Sequence, residues 1–299
     1  MTATVKPAGI WAAVLTPVDC NLQPDADRAV AYYRDLLRDG CDGIAMLGTT
    51  GEAMSLGADQ RMAFMEAVAG RGLPLERTIV GTGAACLDDA AALTRAAFEL
   101  GFAAALVMPP FFYRDATDDG IVRFFDELFA RTPPPDGGVI LYHFPRMSGI
   151  AFHADVVDRL IDEFPGAIVG MKDSANDPAL RSEVLARHPD LAVFPGSESH
   201  LLDAKAAGAA GCISGSVCLW PRLAREVFTG EDQALAQRLS ERRAALDGLP
   251  LIAAVRYLTA RARNDQSWAL PLPPLLPLDE ERGAALFRAD GDGINGGAA

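Results

Sequence analysis

The sequence predicts an α/β protein: a (β/α)8 barrel, or TIM barrel, with a C-terminal helical extension. Short apolar runs alternate with longer amphipathic segments, as β-α units around a parallel sheet require. Eight such repeats fill about 230 residues, the span of a closed barrel. No Gly-x-Gly-x-x-Gly follows the first apolar run, which argues against a doubly wound nucleotide-binding sheet.

In chain order, the runs that predict strands lie at 10–16, 43–47, 78–81, 104–108, 139–142, 168–172, 191–194 and 211–214. Their continuous apolar character suits strands covered on both faces. Between them, helical spacing of apolar residues predicts helices over 25–39, 58–69, 88–100, 117–130, 154–163, 177–186, 199–207 and 221–228. Beyond the eighth unit, 231–246 and 251–263 read as two more helices. In the next segment, Leu270-Pro-Leu-Pro-Pro-Leu-Leu-Pro-Leu278, the prolines forbid a continuous helix, and a last helix starts near Asp279. The Gly- and Ala-rich stretch 291–299 is expected to fray. The division is therefore a barrel over residues 1–229 and a helical extension over 230–299 packed against it.

Composition narrows the function. The chain has 299 residues, half of them hydrophobic, and can bury a large core. A net charge of −13 and no basic stripe argue against a nucleic-acid partner. No apolar run approaches the length that spans a bilayer, and the first residues lack a charged start followed by a long apolar stretch, so no membrane association and a cytoplasmic location are expected. Cys20, Cys41, Cys86, Cys212 and Cys218 are scattered without a Cys-x-x-Cys pair and read as reduced, small core residues. No His or Cys grouping suggests a metal site.

In a barrel of this kind the chemistry sits at the C-terminal ends of the strands. Lys172 ends the sixth run, Ala167-Ile168-Val169-Gly170-Met171, and is one of three lysines beside 24 arginines. Unlike a guanidinium, an amine can lose its proton when desolvated and attack a carbonyl to form a Schiff base. Standing alone it could equally be a lysine snorkelling from a strand end. The second run ends in Gly48-Thr49-Thr50-Gly51-Glu52, a turn able to aim backbone N–H groups and two hydroxyls at one carboxylate, or else a simple strand-to-helix connection. Tyr142 ends the fifth run, where its phenol could relay a proton or be a satisfied core hydroxyl. His143, next in an alternating strand, should face the other way and pack.

These three segments resemble one family. Gly-Thr-Thr-Gly-Glu at 48–52, Tyr-x-x-Pro-x-x-Ser-Gly at 142–149 and Gly-x-Lys-Asp-Ser at 170–174 are similar to the motifs of the dihydrodipicolinate synthase and N-acetylneuraminate lyase family. The resemblance runs from about Ile10 to Leu278. It implies a class I aldolase in which Lys172 forms a Schiff base with pyruvate or another 2-oxo acid and Tyr142 relays protons. Gly48, Thr49 and Thr50, with Ser174 and Ile213 nearby, would surround the substrate carboxylate. It further implies no cofactor beyond the covalent adduct, an aldehyde as second substrate, and a homotetramer.

The sequence also departs from the synthase pattern. Synthases carry arginine two residues after the motif proline, to grip the carboxylate of the aldehyde. Here Arg146 follows Pro145 directly and Met147 takes that place, and in an extended segment a one-residue shift turns the side chain away. Pro109-Pro110-Phe111-Phe112-Tyr113 puts Phe112 where synthases lend a tyrosine across a subunit interface, leaving Tyr113 as a candidate replacement. Glu198, after the seventh run, is a candidate contact for substrate hydroxyls, or a charge at a helix N-terminus. Cys218 stands where synthases often have asparagine. The expectation is a pyruvate lyase acting on a 2-keto-3-deoxy sugar acid. Alternatives are the synthase itself, a Schiff-base hydro-lyase or hydratase-aldolase, and a non-catalytic barrel.

Overall fold

The computed structural model describes residues 6–290. Eight strands form the barrel wall: β1 (Gly9–Ala13), β2 (Gly43–Met46), β3 (Thr78–Gly81), β4 (Ala104–Val107), β5 (Val139–His143), β6 (Ile168–Asp173), β7 (Ala192–Pro195) and β8 (Gly211–Ser214). Neighbours in sequence pair in parallel from β1 to β7, and β8 pairs in parallel with β1. At the remaining seam, between β7 and β8, the Ala210 N–H donates to Val193 O at 2.9 Å, so the wall is nearly closed.

The helices follow in order: α1 (Ala26–Arg38), α2 (Ala58–Gly70), α3 (Leu87–Leu100), α4 (Asp118–Arg131), α5 (Pro145–Ser148), α6 (Ala154–Glu163), α7 (Pro178–Arg187), α8 (Leu201–Ala206), α9 (Pro221–Gly230), α10 (Gln233–Ala244), α11 (Leu251–Ala262) and α12 (Glu280–Asp290). Short polar side chains start several of them: the Asp25, Asp177 and Asp232 carboxylates and the Thr117 hydroxyl accept N–H groups of the first turns of α1, α7, α10 and α4. The 270–278 segment stays non-helical, as its prolines require, and tucks Leu272 and Leu278 into the core. The expected fraying of 291–299 concerns residues outside those described.

Two cores result from the period of two along each strand. One side chain set points between wall and helices; the other, with Trp11, Ile79, Leu106, Ile140, Phe194 and Ile213, fills the barrel interior. Three details differ from the sequence reading. β1 stops at Ala13 and not at residue 16, after which only Val14 N–H continues the ladder, to Ala45 O at 3.1 Å. The segment after Tyr142 is not extended: Pro145–Ser148 forms a helical turn, started by proline at its first position and closed by Gly149 at φ 74°. Among the cysteines only Cys41, Cys212 and Cys218 are buried. Cys86 is exposed at the start of α3, and Cys20 is exposed in the turn where Asp19 accepts from Asn21 and Gln23.

Candidate active site

Lys172 and Tyr142 are cross-strand partners on β6 and β5. Strict alternation from Ile168, which faces the outer core, would send Lys172 outward as well. The ladder prevents this. Val139 pairs with Ile168 but Ile140 pairs with Gly170, so β6 carries one extra residue, and the bulge turns Lys172 into the barrel interior beside Tyr142. Lys172 is only 5% exposed; its Nζ donates to the Tyr142 hydroxyl at 3.3 Å and lies 4.4 Å from the ring centroid. The phenol in turn shares a hydrogen bond with Thr49 Oγ1 at 3.1 Å, and Phe144 stacks on its ring. A line of three exchangeable groups thus runs from the amine to the Gly48–Gly51 loop.

That loop is bracketed by two side-chain-bearing residues in the left-handed region, Leu47 at φ 52° and Glu52 at φ 56°. Such residues cost on the order of 1–3 kcal/mol each and persist only where surroundings hold them. Thr50 is buried against Gly215, where a Cβ would come within 2.6 Å of the Thr50 hydroxyl. Gly196 plays the same part for Ser174, whose hydroxyl would lie 2.5 Å from a Cβ there. Ser174 is further fixed by its N–H donating to His143 O at 2.8 Å. Ile213 is fully buried, on β8, in the interior core. A cavity of about 360 Å³ opens beside Tyr142, Thr49 and Gly48, with an apolar lining that includes Leu47, Met108, Phe111, Met147 and Ile252.

Residues 6–286 match the Dihydrodipicolinate synthetase family. An uncharacterised DapA-like lyase of Chloroflexus aurantiacus is 36% identical over 290 residues, covering 95% of this chain and 96% of its own. Among solved structures, a dihydrodipicolinate synthase from Agrobacterium tumefaciens superposes with a TM-score of 0.89 at 27% identity, covering 95% of this chain and 98% of that one. YagE, a prophage protein of E. coli K12 in the dihydrodipicolinic acid synthase family, crystallised in complex with pyruvate, has a TM-score of 0.83 at 26% identity, with 95% and 97% covered. The chain belongs to the dihydrodipicolinate synthetase family. That membership makes it an enzyme of the lyase class.

Within this dihydrodipicolinate synthetase family barrel, the remaining candidates are not all brought to one place. Tyr113 and Phe112 are 73% and 75% exposed and pack edge to face on each other, so a single chain does not deliver either ring to Tyr142. Met147 lines the cavity, whereas the exposed Arg146 does not. Because the segment is a helical turn, the two side chains diverge by about 100° and not by the half-turn of a strand. Glu198 is 1% exposed, and neither carboxylate oxygen has a hydrogen-bond partner. It stands near Cys212 and Cys218, whose thiols are pushed up in pKa chiefly by burial, Cys218 to about 12.

Two buried groups flank the chemistry from the outer face. His143 points away from the interior, as alternation predicts, and its Nδ1 accepts the Phe152 N–H at 3.0 Å; burial lowers its pKa. Asp173, fully buried, accepts the Ala175 and Asp177 N–H groups at 3.0 and 2.8 Å and lies 3.6 Å from Arg181; burial raises its pKa. Among the described residues no group of three or more His, Cys, Asp or Glu side chains is placed to hold a metal ion.

Sequence reasoning missed Glu52, Thr16 and Arg256. Glu52 and Arg256 form an ion pair with no exposed side-chain surface on either partner. A signal was available: Arg256 interrupts the apolar run 251–258, and arginine is almost never fully buried unless paired.

Proposed function

We propose that this lyase forms a Schiff base between Lys172 and the carbonyl of pyruvate or a related 2-oxo acid, and makes or cleaves a carbon–carbon bond to an aldehyde. The observation that carries the reading is the buried Lys172 amine hydrogen-bonded to Tyr142, itself joined to Thr49. The amine adds to the 2-oxo carbon, water leaves, and the iminium accepts the electron pair of the bond broken at the neighbouring carbon. Run forward, the same enamine attacks the aldehyde. Tyr142 is placed to carry protons to and from the carbinolamine and the substrate hydroxyl. Gly48, Thr49 and Thr50, with Ser174 and Ile213 close by, form the carboxylate subsite. Covalent catalysis of this kind calls for no separate cofactor, and pyruvate in the YagE crystal supports the choice of 2-oxo acid.

For the second substrate, the reading is a 2-keto-3-deoxy sugar acid. Glu198 supports it, since its two buried carboxyl oxygens have no partner within the fold and hydroxyl groups are suited to answer them. Met147 at the cavity supports it too: a thioether offers nothing to the carboxylate of aspartate semialdehyde. Relatives named as 4-hydroxy-tetrahydrodipicolinate synthases, 32% identical in the case of the Halorhodospira halophila protein, favour the synthase as the second reading. The hydro-lyase and hydratase-aldolase reactions share the same adduct. The exposed Phe112–Tyr113 pair and the open apolar cavity beside Tyr142 suit a homo-oligomer, the expected tetramer, in which one subunit's aromatic pair meets another's cavity.

Borohydride reduction in the presence of pyruvate tests the core of this reading, and should add one reduced pyruvyl group to the peptide containing Lys172. Modification at Lys6 or Lys205 alone would refute it. Specificity constants at saturating pyruvate then separate the partners. Neutral hydroxyaldehydes such as glyceraldehyde should outrank aspartate semialdehyde by about ten-fold or more, given roughly 1.5–3 kcal/mol for each missing charge-assisted hydrogen bond. The reverse order would establish the synthase.

A further inference from the structure

The loop assigned to the substrate carboxylate is closed into a ring by residues far away in sequence. Glu52, immediately after Gly51, accepts from Arg256 Nε on one oxygen and from the Leu272 N–H at 2.5 Å on the other. The same guanidinium donates to Thr16 O at 2.8 Å and to Trp268 O at 3.3 Å. Thr16 closes the circuit, because its hydroxyl donates to Gly51 O at 2.7 Å. Gly51, the last residue of the loop, is therefore held by the segment after β1, and its left-handed neighbour Glu52 by helix α11 of the extension. All three side chains are buried, with Arg256 and Thr16 fully so.

Core stability alone does not call for this arrangement. A buried ion pair is often no better than apolar residues of the same volume, whereas a fork with three fixed acceptors specifies one geometry. That geometry is applied at Gly51 and Glu52, the residues that directly follow Thr49 and Thr50. We propose that Glu52 and Arg256 are positioning residues: through Thr16 and Gly51 they hold the Gly48–Gly51 loop in the shape that binds the 2-oxo acid carboxylate, which makes the helical extension part of the active site. The proposal rests on the Schiff-base reading above.

The discriminating measurement compares two carbonyl probes at Lys172, pyruvate with a carboxylate and propanal without one, in borohydride trapping read on the Lys172 peptide. In Glu52→Gln and Arg256→Lys, half-maximal trapping should need about ten-fold or more pyruvate, while the propanal dependence stays within about two-fold of wild type. Arginine to lysine keeps the charge and loses the fork, so it isolates geometry. Thr16→Val removes only the hydroxyl that holds Gly51 O and should shift pyruvate in the same direction, which covers the case in which the ion-pair variants do not fold. Unchanged pyruvate dependence in folded variants would overturn the proposal, as would an equal loss for both probes, the mark of a merely structural pair. Failure of wild type to trap pyruvate at all would strike the Schiff-base reading first and this inference with it.

Discussion

The two ends of the barrel treat charge in opposite ways. At the amino-terminal end, Asp42 precedes β2, accepts the Ile10 N–H at 2.8 Å, and pairs with Arg225, while Arg77 donates to Asp42 O and Cys41 O at 2.8 Å each. Those side chains are partly exposed, and both Asp42 carboxylate oxygens find partners within the fold. At the carboxyl-terminal end, Lys172 is buried with only a phenol for company and Glu198 is buried with nothing. Glu52 and Arg256 are buried too, and their contacts tie the end of the Gly48–Gly51 loop to Thr16 and to Trp268 and Leu272 of the extension. A buried polar group without a protein partner calls for an explanation, and a bound substrate would supply one, so the contrast is between groups whose partners lie within the fold and groups that the proposed reaction would use.

The strongest way to break the comparison is to remove a group from the end that uses the fold. Tyr142→Phe keeps the ring that packs beside Lys172 and Phe144 and deletes the hydroxyl between the amine and Thr49. Turnover should fall on the order of 100-fold or more, as for loss of an acid-base group, with little change in melting temperature. Wild-type turnover in a steady-state assay of this variant would mean that another group moves the proton.

Much of this was legible in the sequence, and for definite reasons. Eight apolar runs gave the eight strands, because a wall covered on both faces needs continuous Val, Ile, Leu and Ala. The C-terminal ends of those runs then nominated Thr49, Tyr142 and Lys172. What could not be read were displacements by a single residue. The bulge between Ile168 and Gly170 reverses the face of Lys172, and period-two counting carries no sign of it. The turn at Pro145–Ser148 replaces an extended strand exit by a helical one and changes how Arg146 and Met147 diverge. The Glu52–Arg256 pair spans 204 residues, a contact that local pattern cannot predict, although an arginine inside an apolar helix announced that some partner existed. Tyr113 was nominated by its neighbourhood in sequence, and the single chain leaves it in solvent.

The opposite end of the barrel should lose stability and keep activity. Asp42→Ala removes the acceptor of the Ile10 N–H and one side of a partly exposed ion pair, together about 1–3 kcal/mol. For a chain of this size that corresponds to a fall of roughly 2–8 °C in Tm. The turnover number measured well below the transition should match wild type. A turnover defect as large as that of Tyr142→Phe would show that the two ends are coupled and that the separation drawn between them is wrong.

The smallest expected effect sharpens the boundary, because His143 lies on the strand that carries Tyr142 yet faces the outer core. Its Nδ1 accepts the Phe152 N–H, which fixes the neutral ring with its proton on Nε2; protonation would set a second donor against that N–H. Burial accordingly lowers the His143 pKa in the folded chain, whereas in the unfolded chain it lies near 6.5. The unfolded state therefore binds the proton more readily. Stability contributed by the neutral ring is complete above about pH 6.5 and is lost as pH falls from there toward the lowered folded-state value. Thermal melts of wild type and His143→Gln at about pH 7.5 and about pH 5.5 isolate this contribution from that of the carboxylates, which both proteins share. The variant should lose less Tm on acidification than wild type does, starting from a somewhat lower value at the higher pH. Equal acid shifts in the two proteins would mean that His143 takes up its proton as easily folded as unfolded, and that the outer face of β5 is wetter than its packing against Phe152 indicates.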